Sequence, residues 1–267
     1  MKIGKYELDD NKTHVMGILN VTPDSFSDGG RFVTMDKVIE HASKMVQQGA
    51  AIIDVGGEST RPGYTMISAA EEISRVVPAI EAIKARLDVP VSIDTYKSSV
   101  AEAAICAGAD MVNDIWGLQY DAKMIKTIKQ YDTSVAITHN KKKQEYVNFE
   151  EDVINELKSL CDAAERGGIA KEKIVIDPGL GFAKTYDQNI LVMKNLEDFV
   201  KLGYPVLVGA SKKSFIGNAL GLPVDQRVEG TLATTAVSVA AGARMVRVHD
   251  VLENVRLIKM LECIKFA

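Results

Sequence analysis

Short apolar, β-branched runs recur along the chain, each followed by a stretch with helical periodicity. The runs are VMGIL (15–19), AIIDV (51–55), VPVSID (89–94), DMVND (110–114), SVAIT (134–138), KIVID (173–177), PVLVG (205–209) and RMVRV (244–248). Most of their apolar positions are consecutive rather than alternate, which suits parallel strands buried on both faces. Helical patterns lie between them at 35–48, 69–86, 97–107, 122–131, 150–166, 189–201, 228–241 and 251–264. Gly49, Gly108, Gly167 and Gly242 stand between a helix and the next run, where a helix end favours positive φ. Eight strand–helix units in ~250 residues predict a (β/α)8 TIM barrel of the α/β class. It would form a single domain over residues 1–267, with a short N-terminal extension at 1–12. A doubly wound open sheet is the competing architecture.

The polar residues sort themselves onto this frame. Asn20, the segment 56–61, Asp94, Asn113, His139, Asp177, Ser211–Lys213 and Arg247–His249 follow or close the apolar runs. Barrel sites occupy the C-terminal ends of the strands, so residues scattered over the whole chain would converge in one mouth. An open sheet would hold the outer ones apart.

Composition narrows the function classes. The 267 residues carry 32 Lys+Arg and 36 Asp+Glu, a net charge of −4, with 46% hydrophobic and 25% charged residues. That is an ordinary globular balance and gives no electrostatic case for nucleic acid or an anionic membrane. No stretch has the length and apolarity of a membrane span, and the N-terminus lacks the apolar stretch of a signal peptide. Cys106, Cys161 and Cys263 are far apart and form no CxxC pair, so they read as buried thiols in a reducing compartment, the cytoplasm.

Four segments carry candidate chemistry. Residues 20–30 (NVTPDSFSDGG) form a long polar loop with Phe26 in its middle, a ring that loops rarely expose without use. Residues 56–63 (GGESTRPG) pair close-approach glycines with Thr60 and Arg61, donors suited to phosphate. Asp94, Asn113 and Asp177 each end a strand; singly they fit helix caps, and together they match a ligand edge rich in N–H donors, such as an aminopyrimidinone. Lys213 would offset their charge and donate to the ligand carbonyl. The alternation of a strand puts Arg247 and His249 on one side, an oxyanion clamp. No Ser-His-Asp triad, HExxH, Walker A or GxGxxG sequence is present.

With these residues in view, residues 14–265 resemble the dihydropteroate synthase family. Its two signatures are here GILNVTPDSFSDGG (17–30) and IIDVGGESTRPG (52–63). SIDTYK (92–97), NDIWG (113–117), DPGLGFAK (177–184), GASKKSFIG (209–217) and RVHDV (247–251) follow in order. The resemblance implies condensation of p-aminobenzoate with 6-hydroxymethyl-7,8-dihydropterin diphosphate to give dihydropteroate and diphosphate. It implies Mg²⁺ as cofactor, held by Asn20 and shared with the diphosphate, whose oxygens would meet Asn20, Thr60, Arg61, Arg247 and His249. Asp94, Asn113, Ile115, Asp177 and Lys213 would hold the pterin, and Phe26, Arg61, Pro62, Phe182, Lys213 and Ser214 the p-aminobenzoate. The groups acting in catalysis would be Asn20, Asp94, Lys213, Arg247 and His249. A cytoplasmic homodimer is the family habit.

Two positions depart from the family pattern. Lys212 stands where an Arg usually precedes the pterin-binding lysine, and Thr138-His139 replaces Met-His. Alternatives are a methyltetrahydrofolate-dependent domain that passes methyl to a corrinoid partner, and a non-catalytic folate-binding barrel.

Overall fold

The computed structural model describes residues 1–22, 31–58 and 66–265. Two short strands, β1 (Lys2–Ile3) and β2 (Tyr6–Glu7), pair antiparallel at the start of the chain. Strand–helix units follow: β3 (His14–Asn20) and α1 (Arg31–Gln48), β4 (Ile52–Gly56) and α2 (Ala69–Arg86), β5 (Val91–Asp94) and α3 (Ser98–Cys106), β6 (Met111–Asp114) and α4 (Met124–Tyr131). The second half holds β7 (Ser134–Thr138) and α5 (Phe149–Arg166), β8 (Ile174–Asp177) with α6 (Tyr186–Lys194) and α7 (Leu196–Val200), β9 (Leu207–Val208) with α8 (Ser214–Leu220) and α9 (Val228–Ala241), and β10 (Met245–Val248) with α10 (Val251–Lys265).

Strands β3 to β10 make one eight-stranded sheet in the order β8-β7-β6-β5-β4-β3-β10-β9. All seven pairings are parallel. A parallel bridge between Ile176 and Val206, with Ile176 N–H donating to Pro205 O at 2.9 Å, joins the ends and closes the barrel. β4 to β8 are buried at every position, because helices cover one face and the barrel interior the other. The open-sheet alternative is excluded by that closure.

The interior is divided along the barrel axis. Met16, Ile52, Met111, Ala136, Val175, Leu207 and Met245 point inward near the strand starts and form an apolar cluster. Ile3, fully buried, joins it from the N-terminal hairpin. The segment expected to be only an extension is thus a stopper for the barrel floor, with Gly4 at φ 56 making the turn.

Two expectations need correction. The helix expected at 189–201 starts earlier and breaks at Asn195. Thr185 begins it with a capping box: its Oγ1 accepts from Gln188 N at 3.2 Å and Gln188 Oε1 accepts from Thr185 N at 2.9 Å. Asn195 then leaves helical geometry (ψ 27) and its amide binds Glu150 on α5. Of the three free thiols only Cys161 is buried; Cys106, ending α3, and Cys263, near the end of α10, are exposed. Their helix positions face away from the barrel. Among the described residues no helix is long and apolar enough to cross a membrane.

Candidate active site

The same alternation that points Met16, Ile52 and Met111 into the floor points every second residue above them into the mouth. This gives Asn20 from β3, Asp54 and Gly56 from β4, Asp94 from β5, Asn113 from β6, Thr138 from β7, Asp177 from β8, Gly209 after β9 and Arg247 from β10. Register brings Asn20, Gly56, Asp94 and Asn113 side by side, and Thr138 beside Asp177. Two of these positions are glycines. A Cβ on Gly56 would lie 3.3 Å from Asn20 Oδ1, and one on Gly209 would lie 3.4 Å from Asp177 Oδ2.

Charge is concentrated here. Arg247 Nε donates to Asp54 Oδ2 at 2.5 Å and Nη2 to Asp94 Oδ2 at 2.6 Å. Asn113 Nδ2 donates to the same Asp54 oxygen at 3.2 Å. Asp54 Oδ1 and Asp94 Oδ1 are buried and accept no hydrogen bond among the described residues. Such groups are costly unless a ligand uses them. Burial pushes Asp94 up to about 7; Arg247 opposes that shift and Asp54 adds to it. Burial works against the Arg247 charge, and Asp54 and Asp94 more than compensate, raising its pKa.

On the opposite wall, Asp177 Oδ1 accepts from Gly179 N at 2.7 Å. Burial raises its pKa while Lys213 lowers it. Lys213 Nζ donates to Leu180 O and lies 4.5 Å from the centre of the Phe182 ring. Burial pushes Lys213 down to about 8, with Asp177 opposing. Ile115, just after β6, is buried, and its carbonyl accepts from Asn140 Nδ2 at 3.0 Å. Ser214 is exposed at the first position of α8.

His249 follows β10, with Nδ1 2.9 Å from Ser211 Oγ and its N–H donating to the same hydroxyl at 3.2 Å. Lys212 takes left-handed backbone (φ 57) and turns its Nζ to Asp250 Oδ1 at 3.0 Å. The segment is pinned from behind by Arg227, which donates to Lys212 O at 3.0 Å and Leu222 O at 3.1 Å.

The structure therefore assembles Asn20, Asp94, Asn113, Ile115, Asp177, Phe182, Lys213, Ser214, Arg247 and His249 at or just beyond the strand ends of one barrel mouth. Phe26, Thr60, Arg61 and Pro62 lie outside the described residues. The described residues on either side of 59–65 meet in a buried ion network: Lys97 Nζ reaches Glu58 Oε2 at 2.5 Å, Glu72 Oε2 at 2.7 Å and Ile67 O at 2.8 Å. Asp54 is the residue that the sequence hides, since it sits inside an apolar run. Parity with Gly56, two residues on, is the signal that marks it as inward-facing.

A closed (β/α)8 barrel with this polar set at its mouth defines a pterin-binding class of enzyme. The sequence pattern of the pterin binding enzyme family matches residues 16–249, and the chain belongs to that family. It is 54% identical to the dihydropteroate synthase of Clostridium beijerinckii over 266 residues, 99% of each chain. The dihydropteroate synthase of Clostridium difficile, crystallised in the presence of pteroic acid, superposes with a TM-score of 0.93 at 48% identity, covering 99% of this chain and 98% of that one. The Xanthomonas albilineans dihydropteroate synthase with 4-aminobenzoic acid gives a TM-score of 0.93 at 37% identity over 97% and 96% of the two chains.

Proposed function

We propose that this barrel mouth carries out the dihydropteroate synthase reaction, joining p-aminobenzoate to 6-hydroxymethyl-7,8-dihydropterin diphosphate. The enzyme is a transferase that moves a pterinylmethyl group, and its substrates are small molecules. The observation that carries this is the single polar layer in which Asp94, Asn113, Asp177 and Lys213 face Arg247 at the end of one barrel.

The chemistry asks for no protein nucleophile. The bond between the pterin methylene and the diphosphate oxygen breaks, a carbon–nitrogen bond forms to the p-aminobenzoate amine, and that amine gives up one proton. Positive charge grows on the methylene and spreads into the pterin ring. Asp54, Asp94 and Asp177 would surround that ring with three carboxyl groups against two cations, Arg247 and Lys213, a balance that favours a cationic transition state. Asp177 and Asn113 would read the N–H edge of the pterin, and Lys213 would donate to its carbonyl. Ile115 would pack against the ring.

Negative charge grows on the leaving diphosphate. Arg247 Nη1 has no partner among the described residues, so the guanidinium can hold Asp54 and Asp94 with two nitrogens and offer the third to an oxyanion. His249, Thr60 and Arg61 would complete that clamp. Phe26, Arg61, Pro62, Phe182, Lys213 and Ser214 would enclose p-aminobenzoate.

Asn20 fits a Mg²⁺ that arrives with its substrate: the amide is half-buried, neutral and aimed across Gly56, and no cluster of three acidic, His or Cys side chains competes among the described residues. Bound there with diphosphate, Mg²⁺ would neutralise charge on the leaving group.

Exposed Tyr186 and Ile190 on α6, Leu220 on α8 and Val237 on α9 lie on neighbouring helices and support a homodimer through that face. Exposed free thiols support a reducing, cytoplasmic location. The decisive experiment measures diphosphate release with each substrate alone and with both. Release that depends on p-aminobenzoate is expected; pterin binding without release would make the chain a folate-binding barrel instead.

A further inference from the structure

Beside the barrel mouth lies a buried cluster that the reaction does not use. Lys184 is only 8% exposed, yet its ammonium has four acceptors: His139 Nδ1 at 2.9 Å, Gly179 O at 3.0 Å, Phe182 O at 3.1 Å and His139 O at 3.3 Å. Burial pushes Lys184 down to about 7, with Asp177 opposing, and the acceptor set favours the charged form, since an ammonium brings three donors where a neutral amine brings two. Since His139 Nδ1 accepts, its proton resides on Nε2, which donates to Glu156 Oε2 at 2.9 Å. The other Glu156 oxygen accepts from Lys141 at 2.7 Å. Burial, with the Lys184 charge second, pushes His139 down to about 4, so the ring stays neutral.

The segment held this way is the one that shapes one wall of the site. Gly179 N–H binds Asp177 Oδ1, Leu180 O accepts from Lys213, and the Phe182 ring lies 4.5 Å from that lysine's Nζ. Its backbone is left-handed at Gly179 (φ 74) and Gly181 (φ 79), which glycine adopts freely, and at Ala183 (φ 44), where a Cβ is strained and neighbouring contacts must hold the conformation. A Cβ on Gly179 would fall 1.9 Å from His139 O, so the two loops are in close contact. Tyr146 adds a second tie, its hydroxyl donating to Ala183 O at 2.8 Å.

We propose that Lys184 is a positioning residue for the p-aminobenzoate side of the site: with His139 as its neutral acceptor, it fixes the Gly179–Phe182 turn and thereby the Phe182 ring. It touches neither substrate and acts through that ring. The inference rests on the proposed function in taking Phe182 as the p-aminobenzoate wall.

Lys184→Met keeps the length of the side chain and removes its donors. Steady-state kinetics on the full chain should show the KM for p-aminobenzoate raised roughly 10-fold, since small misplacements of contact groups cost that much or more. The KM for pterin diphosphate should move by less than about 3-fold, and His139→Leu should reproduce the split while His139→Asn, which keeps an acceptor, restores p-aminobenzoate use. Should Lys184→Met not fold, Tyr146→Phe tests the same turn, with a smaller rise in the same KM at unchanged Tm. Equal changes in both KM values, or an unchanged p-aminobenzoate KM in every folded variant, would overturn the inference alone. A wild-type protein that releases no diphosphate with both substrates would overturn the functional reading and the inference with it.

Discussion

Asp177→Asn removes one charge and almost no volume. In the native site Oδ1 is committed to Gly179 N–H at 2.7 Å, which on the proposed reading leaves Oδ2 for the pterin. The Asn oxygen would keep the Gly179 bond, turning the NH2 toward the pterin N–H edge, where donor meets donor. One buried, unpaired donor costs about 1–3 kcal/mol, and the lost charge-assisted bond adds to it, so pterin affinity should fall roughly 30-fold or more. A second effect has a definite sign. Burial already pushes Lys213 down to about 8 and Asp177 opposes that shift, so the variant's Lys213 should lose its proton at lower pH still. The affinity loss should therefore be deeper at pH 8 than at pH 6. Calorimetric titration with hydroxymethyl-dihydropterin at both values reads each effect without the diphosphate clamp. A dissociation constant within about threefold of wild type at both pH values would remove Asp177 from the pterin pocket.

Ile3→Ala should destabilise the protein by about 2–5 kcal/mol in denaturant melts and leave turnover unchanged, because the fully buried plug lies at the far end of the barrel from the site; a loss below about 1 kcal/mol would make the hairpin a mere appendage. His139 is held neutral in the fold, its pKa lowered from 6.5 to about 4 by burial, so the unfolded chain takes up its proton first. Its contribution is complete above pH 6.5 and drains away as pH falls toward 4, and urea midpoints for His139→Asn should show a shallower acid slope than wild type. Mg²⁺ should bind the protein weakly by itself and tightly once pterin diphosphate is present, since Asn20 is a neutral ligand; calorimetry showing tight binding without the substrate would contradict that.

Much of this site is legible in one dimension because a barrel turns strand ends into neighbours. Asp94, Asn113 and Asp177 are polar at the ends of apolar runs, and that placement alone brings them together. Asp54 is not legible in that way. It lies mid-run among isoleucines and valines, and its role appears only when Arg247 arrives from the last strand to share it with Asp94. Arg247 reads by itself as an oxyanion ligand; its two carboxylate bonds depend on register across distant strands. Lys184 and His139 belong to different loops, and their contact is set by how closely Gly179 lets those loops approach. The break at Asn195 escapes periodicity, since both helices keep apolar residues on the same side and the amide answers to Glu150 on another element.

Gly56 and Gly209 have a consequence for how the barrel is completed. Elsewhere in its interior, each inward position is filled by the protein's own side chains, the way a barrel ordinarily builds its stacked layers. At these two positions the chain contributes only backbone. In the proposed reaction the substrate would do the work of a core residue, supplying bulk and the donors that the buried Asp54 and Asp94 oxygens lack. On that reading binding and packing are one event, so a flat heterocycle of the right size should act as a folding ligand and raise Tm with the logarithm of its concentration over its dissociation constant. A methyl group at either position, set against Asn20 or Asp177, would then take room that the proposed substrate needs.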